Sequence, residues 1–282
     1  KNLTKETIFV IEASSYQLAY SKHFRSKFSI IVNISPDHLE RHNTMKNYIL
    51  SKLKCVTRQD KNDISIIPNT NLLKNLLRNK NFKSKIIFLS KNKYTHLKKQ
   101  LNNNSIINSA YFQNMNFLFE LSKFMKLNLK TVLKTMNNFK PLKYRQEIIY
   151  NSKYLKIIND SKSTSFSSTT PFLETDEKIY WILGGLFKKG DKFNLNKKYY
   201  KNLEAYIYGK DRYVFSKIFK NKFKVNLSKD LNNSIKLIPK LKNLKKKVIV
   251  LFSPSAASFD QYKNFEERGK QFNMLIKRYF PS

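Results

Sequence analysis

The residues of this chain that could do chemistry gather at the ends of apolar runs. After "TIFVI" come Glu12, Ser14 and Ser15, and after "SIIVNI" come Asp37 and His38. After "YLKII" stand Asn159, Asp160, Ser161, Lys162 and Thr164. Gly184, Gly185 and Lys188 follow "IYWIL", and Ser253, Pro254, Ser255 and Ser258 follow "VIVLF". Acids and a histidine suit a hard divalent cation, lysines suit carboxylate or phosphate, and glycines let a ligand approach the backbone. Glu12 and His38 end two successive runs and could share such a cation with waters. A lone acid after a strand also serves as a solvated or capping group, and "NDSKST" can be read as a turn built from turn-forming residues.

Lys52 is the misfit. In "MKNYILSKLKCV" it shares a helical stripe with Met45, Tyr48, Ile49, Cys55 and Val56, with Asn43 or Thr44 as the cap. Either it snorkels from the helix edge or it is buried beside a partner, because an unpaired buried ammonium is too costly to keep. As a carbamate it would become a metal-side anion. A triphosphate cradle would need Gly-x4-Gly-Lys-Ser/Thr, but Gly185 and Gly190 are followed by Asp191, and the chain's 5 glycines offer no other match.

Those residues need a scaffold that brings strand ends together. "TIFVIE", "FSIIVNI", "KIIFLS", "KIYWILGG", "LEAYIYG" and "KKVIVLFSP" are continuous rather than alternating apolar runs, which predicts strands buried on both faces of a parallel sheet. Amphipathic helices fit between them, including "AYFQNMNFLFELSKFM" and the closing "FEERGKQFNMLIKRYF". The fold class is therefore α/β, with ligands expected at the carboxyl ends of the strands. Residues 68–105 offer few landmarks beyond a strand near 86–89. Pro141 breaks the preceding helix and "QEIIY" restarts a strand, which divides the chain into domains at 1–142 and 143–282.

Composition excludes several classes. Among 282 residues there is one cysteine, Cys55, so no internal disulfide is possible and a reducing cytoplasm is expected. No run approaches the ~18 uninterrupted apolar residues of a membrane span, so no membrane insertion is expected. The formal net charge of +36 invites a nucleic-acid or anionic-surface partner. The lysines are nevertheless dispersed among Asn and Ile rather than gathered in a patch, and only "KNLKKK" is dense, so no nucleic acid is expected. Residue 1 is Lys and an apolar run follows at once, which reads as a chain that starts partway into a domain.

Six segments in register make the combination specific: "IEASSYQL", "NISPDHLERHNTMKNYILSKLK", "LKYRQE", "INDSKSTS", "WILGGLFKKGD" and "LFSPSAASFDQYKNFEERGKQF". Their order and spacing resemble the Mur ligases, and the last block is most similar to the D-glutamate-adding branch. The resemblance implies a partial central ATPase-type domain over 1–142 and a Rossmann-like domain over 143–282, without the family's UDP-binding domain or phosphate loop. It implies a cytoplasmic, monomeric enzyme that uses ATP to activate UDP-N-acetylmuramoyl-L-alanine as an acyl phosphate and joins it to D-glutamate, inactive as this fragment alone. Carried over by position, Glu12, His38 and Lys52 resemble the ligands of two Mg²⁺ ions, one of them held through carbamylated Lys52, with Ser14 beside them. Asn114, Arg145 and Asp160 match nucleotide-contacting positions. Lys162, Thr164, Lys188, Ser258 and Phe265 match those around D-glutamate and the transferred phosphate. The chain departs from the family pattern at Tyr144, where His is common, at Ser165, where Asn is common, and in "GGLFKKGD", which lacks an acid between Gly185 and Lys188. Another Mur or folylpolyglutamate-type ligase is the alternative within enzymes. A basic binder on a relic ligase scaffold is the alternative outside them.

Overall fold

A computed structural model describes the chain except residues 1, 2, 5, 35–38, 79, 103–109, 240, 242, 243, 281 and 282, and except the side chains of 39, 40 and 110. The chain divides into two compact units, one built from residues 1–102 and 111–137, the other from 138–282.

In the first unit a parallel sheet runs in the order β1 (Phe28–Ile30), β2 (Ile64–Pro68), β3 (Lys85–Leu89). Helix α1 (Ser15–Tyr20) opens with a capping box, in which Ser14 Oγ accepts from Gln17 N and Gln17 Oε1 accepts from Ser14 N. After the short α2 (Leu39–His42) comes α3 (Met45–Thr57), whose cap is Thr44. The buried face of α3 is Tyr48, Ile49, Leu53 and Val56, packed with Ile31, Ile67 and with Leu73 and Leu77 of α4 (Asn71–Leu77). The 3₁₀ turn Thr95–Gln100, α5 (Ala110–Phe124) and α6 (Leu129–Asn137) complete the unit. Leu53 rather than Lys52 takes the central core position, which leaves Lys52 half-buried at the helix edge.

"TIFVIE" forms no strand. Ile8, Phe9, Val10 and Ile11 are exposed, Val10 at 94%. A strand needs a ladder partner for its backbone, and no described strand pairs with this stretch, so the apolar run joins no sheet.

The second unit is a sheet of β4 (Glu147–Asn151), β5 (Leu155–Asn159), β6 (Lys178–Gly184), β7 (Leu203–Tyr208), β8 (Lys224–Leu227) and β9 (Val248–Phe252) in the order β4-β5-β9-β6-β7-β8. All neighbours are parallel except the β4–β5 hairpin. Trp181, Leu183, Ile207 and Leu251 pack on one face against Phe166 and Leu173 of α7 (Phe166–Leu173) and Phe215 and Phe219 of α8 (Arg212–Phe219). Ile182, Tyr206, Val250 and Phe252 pack on the other against α9 (Leu231–Lys236) and Phe272, Leu275 and Ile276 of α10 (Phe265–Tyr279). Two covered faces are the reason these strands read as unbroken apolar runs. The carboxyl ends of β5, β9 and β6 thereby meet at one edge of the sheet.

Candidate functional site

Asp160, Ser253 and Gly184 leave three adjacent strands. Gly184, at φ +136°, is required where it stands, since a Cβ there would lie 2.0 Å from the carbonyl oxygen of Tyr208. Beyond it Leu186 and Ala257 exchange backbone hydrogen bonds of 2.9 and 3.1 Å. That bridge holds the half-buried Lys188 loop beside the loop of the buried Ser258. Asp191, which stands where a phosphate loop would need lysine, accepts the Phe166 amide at 2.6 Å and so caps α7.

Lys162 and Phe265 come from opposite ends of the unit's sequence and meet, with Nζ 4.2 Å from the ring centroid. Ser161, next to Lys162, donates to the Phe265 carbonyl at 2.9 Å, so the contact is anchored through the backbone. Lys162 and Thr164 are exposed, and the ammonium is left accessible to an anion.

Arg145 is presented by a strained loop. Its neighbours Tyr144 and Gln146 both have positive φ, 60° and 54°, which costs a non-glycine residue on the order of 1 to 3 kcal/mol. The loop is over-determined by its surroundings. Tyr144 N donates to Glu147 Oε2 at 3.1 Å, Lys162 N donates to the Tyr144 carbonyl at 3.0 Å, and Gln146 N donates to Asp160 Oδ1 at 3.1 Å. The Tyr144 ring also fills the space beside Gly269, where an added Cβ would lie 2.4 Å from it. The tyrosine that departs from the family pattern is thus a packing element of the loop.

Asp160 is buried, with Ser253 Oγ donating to Oδ2 at 3.0 Å and Gln146 N to Oδ1. Burial pushes its carboxyl up to about 7, against the opposing effects of those two hydrogen bonds and of the Arg145 and Arg268 charges. The carboxyl of Asp160 therefore changes charge near neutral pH.

Arg268 is a residue of this site that the sequence reading passed over. It is fully buried, donating from Nε to Ser161 Oγ (3.1 Å), from one terminal nitrogen to the Ser161 carbonyl (2.7 Å) and from the other to the Ala256 carbonyl (3.0 Å). It fastens the loop of Lys162 to the loop of Ser258. Its signal was its place in α10, three residues after Phe265, on the apolar face shared with Phe272 and Leu275.

In the first unit, Glu12 is exposed and Ser14 caps α1. Lys52 Nζ lies 5.0 Å from the centroid of the Tyr48 ring and 3.5 Å from the carbonyl oxygen of Asn33, just beyond β1. Its ammonium therefore reaches toward the segment that leads to His38, which itself lies outside the described residues. Asn114 is exposed on α5, whereas Asn116 is buried and donates to the Lys91 carbonyl at 2.9 Å. Among the described residues no group of three His, Cys, Asp or Glu is placed to hold a metal. Glu12 and Lys52 remain compatible with ligation, the first by exposure and the second by its reach to the strand end.

Residues 1–138 match the Mur ligase middle domain. The chain is 30% identical to the UDP-N-acetylmuramoylalanine–D-glutamate ligase of Hydrogenobaculum sp., over 99% of this chain and 69% of that protein. The chain belongs to the Mur ligase family. It is also 30% identical to the ligase of the same name from Rickettsia felis, over 96% of this chain and 65% of that protein. This Mur ligase chain thus spans slightly less than two thirds of that relative's length. Its fold is similar to the crystal structure of MurF ligase from Thermotoga maritima in complex with ADP, at a TM-score of 0.58 and 15% identity, covering 89% of this chain and 63% of that one. No described helix of the Mur ligase chain is long and apolar enough to cross a membrane.

Proposed function

We propose that the protein to which this chain belongs joins D-glutamate to UDP-N-acetylmuramoyl-L-alanine at the expense of ATP, through an acyl phosphate, in the cytoplasmic synthesis of peptidoglycan precursors. The observation that carries the reading is the meeting of Lys162 with Phe265 beside the bridged loops of Lys188 and Ser258, all at the carboxyl edge of one parallel sheet. The substrates bring carboxylates and a transferred phosphate, and two lysines at that edge supply the opposite charge. Lys162 and Lys188 would neutralise phosphate and carboxylate, Ser258 and Thr164 would orient the amino acid, and the Phe265 ring would wall the pocket. Arg145 and Asp160 would contact the nucleotide, with Asn114 and Ser14 as further contacts. Phosphoryl transfer of this kind depends on positioning and charge neutralisation more than on covalent help from the protein.

Glu12, His38 and Lys52, the last as a carbamate, would hold Mg²⁺, which supplies charge neutralisation to the phosphates. The domains take the family's central ATP-binding and carboxy-terminal Rossmann-like roles at 1–142 and 143–282, and the enzyme acts as a monomer.

The test is an assay of ADP release and amide formation with each substrate omitted in turn. The chain alone is expected to show no turnover, and the chain extended by its upstream coding region is expected to show turnover that requires D-glutamate. Turnover by the chain alone would overturn its inactivity, and a preference of the extended chain for another amino acid would reassign it within the family. Lys52→Ala in the extended chain should abolish activity and short carboxylates should restore part of it. Unchanged activity would remove the carbamate role.

A further inference from the structure

The buried carboxyl of Asp160 is the inner end of a continuous row of hydroxyls. Ser253 Oγ lies 3.0 Å from Asp160 Oδ2, Thr169 Oγ1 lies 2.7 Å from Ser253 Oγ, and Ser163 Oγ lies 2.7 Å from Thr169 Oγ1. Ser168 Oγ, 2.6 Å from Ser163 Oγ, belongs to an exposed residue. Thr169 and Ser253 are fully buried and Ser163 nearly so, and Ser255 Oγ makes a side branch 2.7 Å from Thr169. Backbone groups alone would satisfy a helix residue such as Thr169, yet its side chain turns to three other hydroxyls.

We propose that this row is a proton relay between Asp160 and the surface at Ser168, with Thr169 as the link through which every proton must pass. A hydroxyl has one proton to give and can accept two, so a row of them has only two orderly arrangements. With Asp160 ionised, Ser253 donates to the carboxylate, Thr169 to Ser253 and Ser163 to Thr169, and Ser168, whose hydroxyl also reaches the Ser165 carbonyl at 2.7 Å, turns its proton from that carbonyl to Ser163. A proton taken from water at Ser168 makes each hydroxyl pass its own proton inward. Asp160 ends protonated and every hydroxyl ends pointing outward. One proton enters, one arrives, and no other bond changes. The reverse sequence discharges Asp160.

The charges that act on Asp160 are Arg145, from the loop before β4, and Arg268, from α10, and both favour its ionised form. Burial places the titration of Asp160 near neutral pH, where such a relay can be used in both directions. Amide formation from an ammonium and an acyl phosphate breaks one C–O bond, forms one C–N bond, and leaves one proton on phosphate and one to be removed. A proton exit beside the strand ends would serve that step. This use rests on the ligase reading, whereas the relay itself does not.

The test uses the chain itself and its single tryptophan, Trp181, whose Nε1–H donates to the Ser253 carbonyl at 2.8 Å and so reports on that residue. Fluorescence titrated from pH 5 to 9 should show one transition near neutrality that disappears in Asp160→Asn. After a rapid pH jump the signal should relax at least tenfold more slowly in Thr169→Val than in the unmodified chain, and Thr169→Ser should keep the original rate. Loss of the donor behind Ser253 should also move the Thr169→Val midpoint upward by about half a pH unit. Ser163→Ala cuts the row one step farther out and serves if Thr169→Val does not fold. It should slow relaxation while leaving the midpoint in place. Relaxation at the original rate in the folded variants, or a transition that survives Asp160→Asn, would overturn the proposal. Failure of the ligation assay alone would leave these results unaffected and would count only against the ligase reading.

Discussion

The guanidinium of Arg268 donates to both oxygens of Ser161, the carbonyl and the hydroxyl, from a position with no exposure to solvent. A buried cation held by neutral acceptors is costly to keep, and removing it strands those acceptors. Arg268→Met should therefore lower stability by about 2 to 4 kcal/mol, read as a lower midpoint of urea unfolding at unchanged slope. A loss below about 1 kcal/mol would show that the two loops hold their places without it.

The pairing of Tyr144 with Gly269 gives a second prediction. Gly269→Ala puts a methyl group into the tyrosine ring and should cost about 1 to 3 kcal/mol. Tyr144→Ser in the same chain should recover most of that loss, so a double-mutant cycle on unfolding free energies should show coupling. Additive effects would mean that the ring does not occupy that space.

Asp160 sets a pH dependence whose sign can be stated. Its folded carboxyl titrates near 7, above the ordinary value of 3.8, so between these values the folded state binds more protons than the unfolded one. Its contribution to stability is present below about 4, is lost as pH rises toward 7, and amounts to on the order of 3 to 4 kcal/mol over that span. Asp160→Asn should flatten this part of the stability profile in urea unfolding at several pH values. An unchanged slope would place the titration elsewhere.

Asp63 acts with the opposite sign. The side-chain hydrogen bond from Arg25 Nε, at 2.7 Å, is the largest influence on it and holds its carboxyl below the usual range, against burial. Its stabilisation is present above pH 4 and should fade as pH falls below it, and Asp63→Asn should remove that acid-side loss. Acid titrations of the two chains that coincide would count against the pair.

Val10 supplies a control. At 94% exposure, Val10→Asp should change the unfolding free energy of this chain by no more than about 0.5 kcal/mol, whereas Leu53→Ala, in the centre of the first unit's core, should cost about 2 to 5. A large effect at Val10 would show that the run has a partner in solution.

Much of the fold was legible because local pattern and burial agree where a strand is covered on both faces. "KIYWILGG" and "VIVLF" became β6 and β9, and the residues after them fell at the sheet edge because parallel strands deliver their carboxyl ends to one side. The same pattern misled at "TIFVIE", whose apolar residues could not disclose whether a neighbouring strand exists to pair with. It passed over β2, where Ser65 interrupts the apolar run yet is buried and donates to Gln59 Oε1 at 2.5 Å. On α3 periodicity put Lys52 in the stripe, but packing chose Leu53, because a helix of 3.6 residues per turn can rotate its buried face by a fraction of a turn at little cost. Residue types and spacing were enough to choose the α/β class and to nominate Asp160, Lys162, Lys188 and Ser258, whereas Phe265 came only from the resemblance to the Mur ligases. They could not reveal that Arg268 ties two loops across the second unit, that Tyr144 and Gln146 hold Arg145 on a strained backbone, or that Thr169 touches Ser253. Each of those relations joins residues through space that lie far apart along the chain or depends on backbone angles, and neither is written in composition or periodicity.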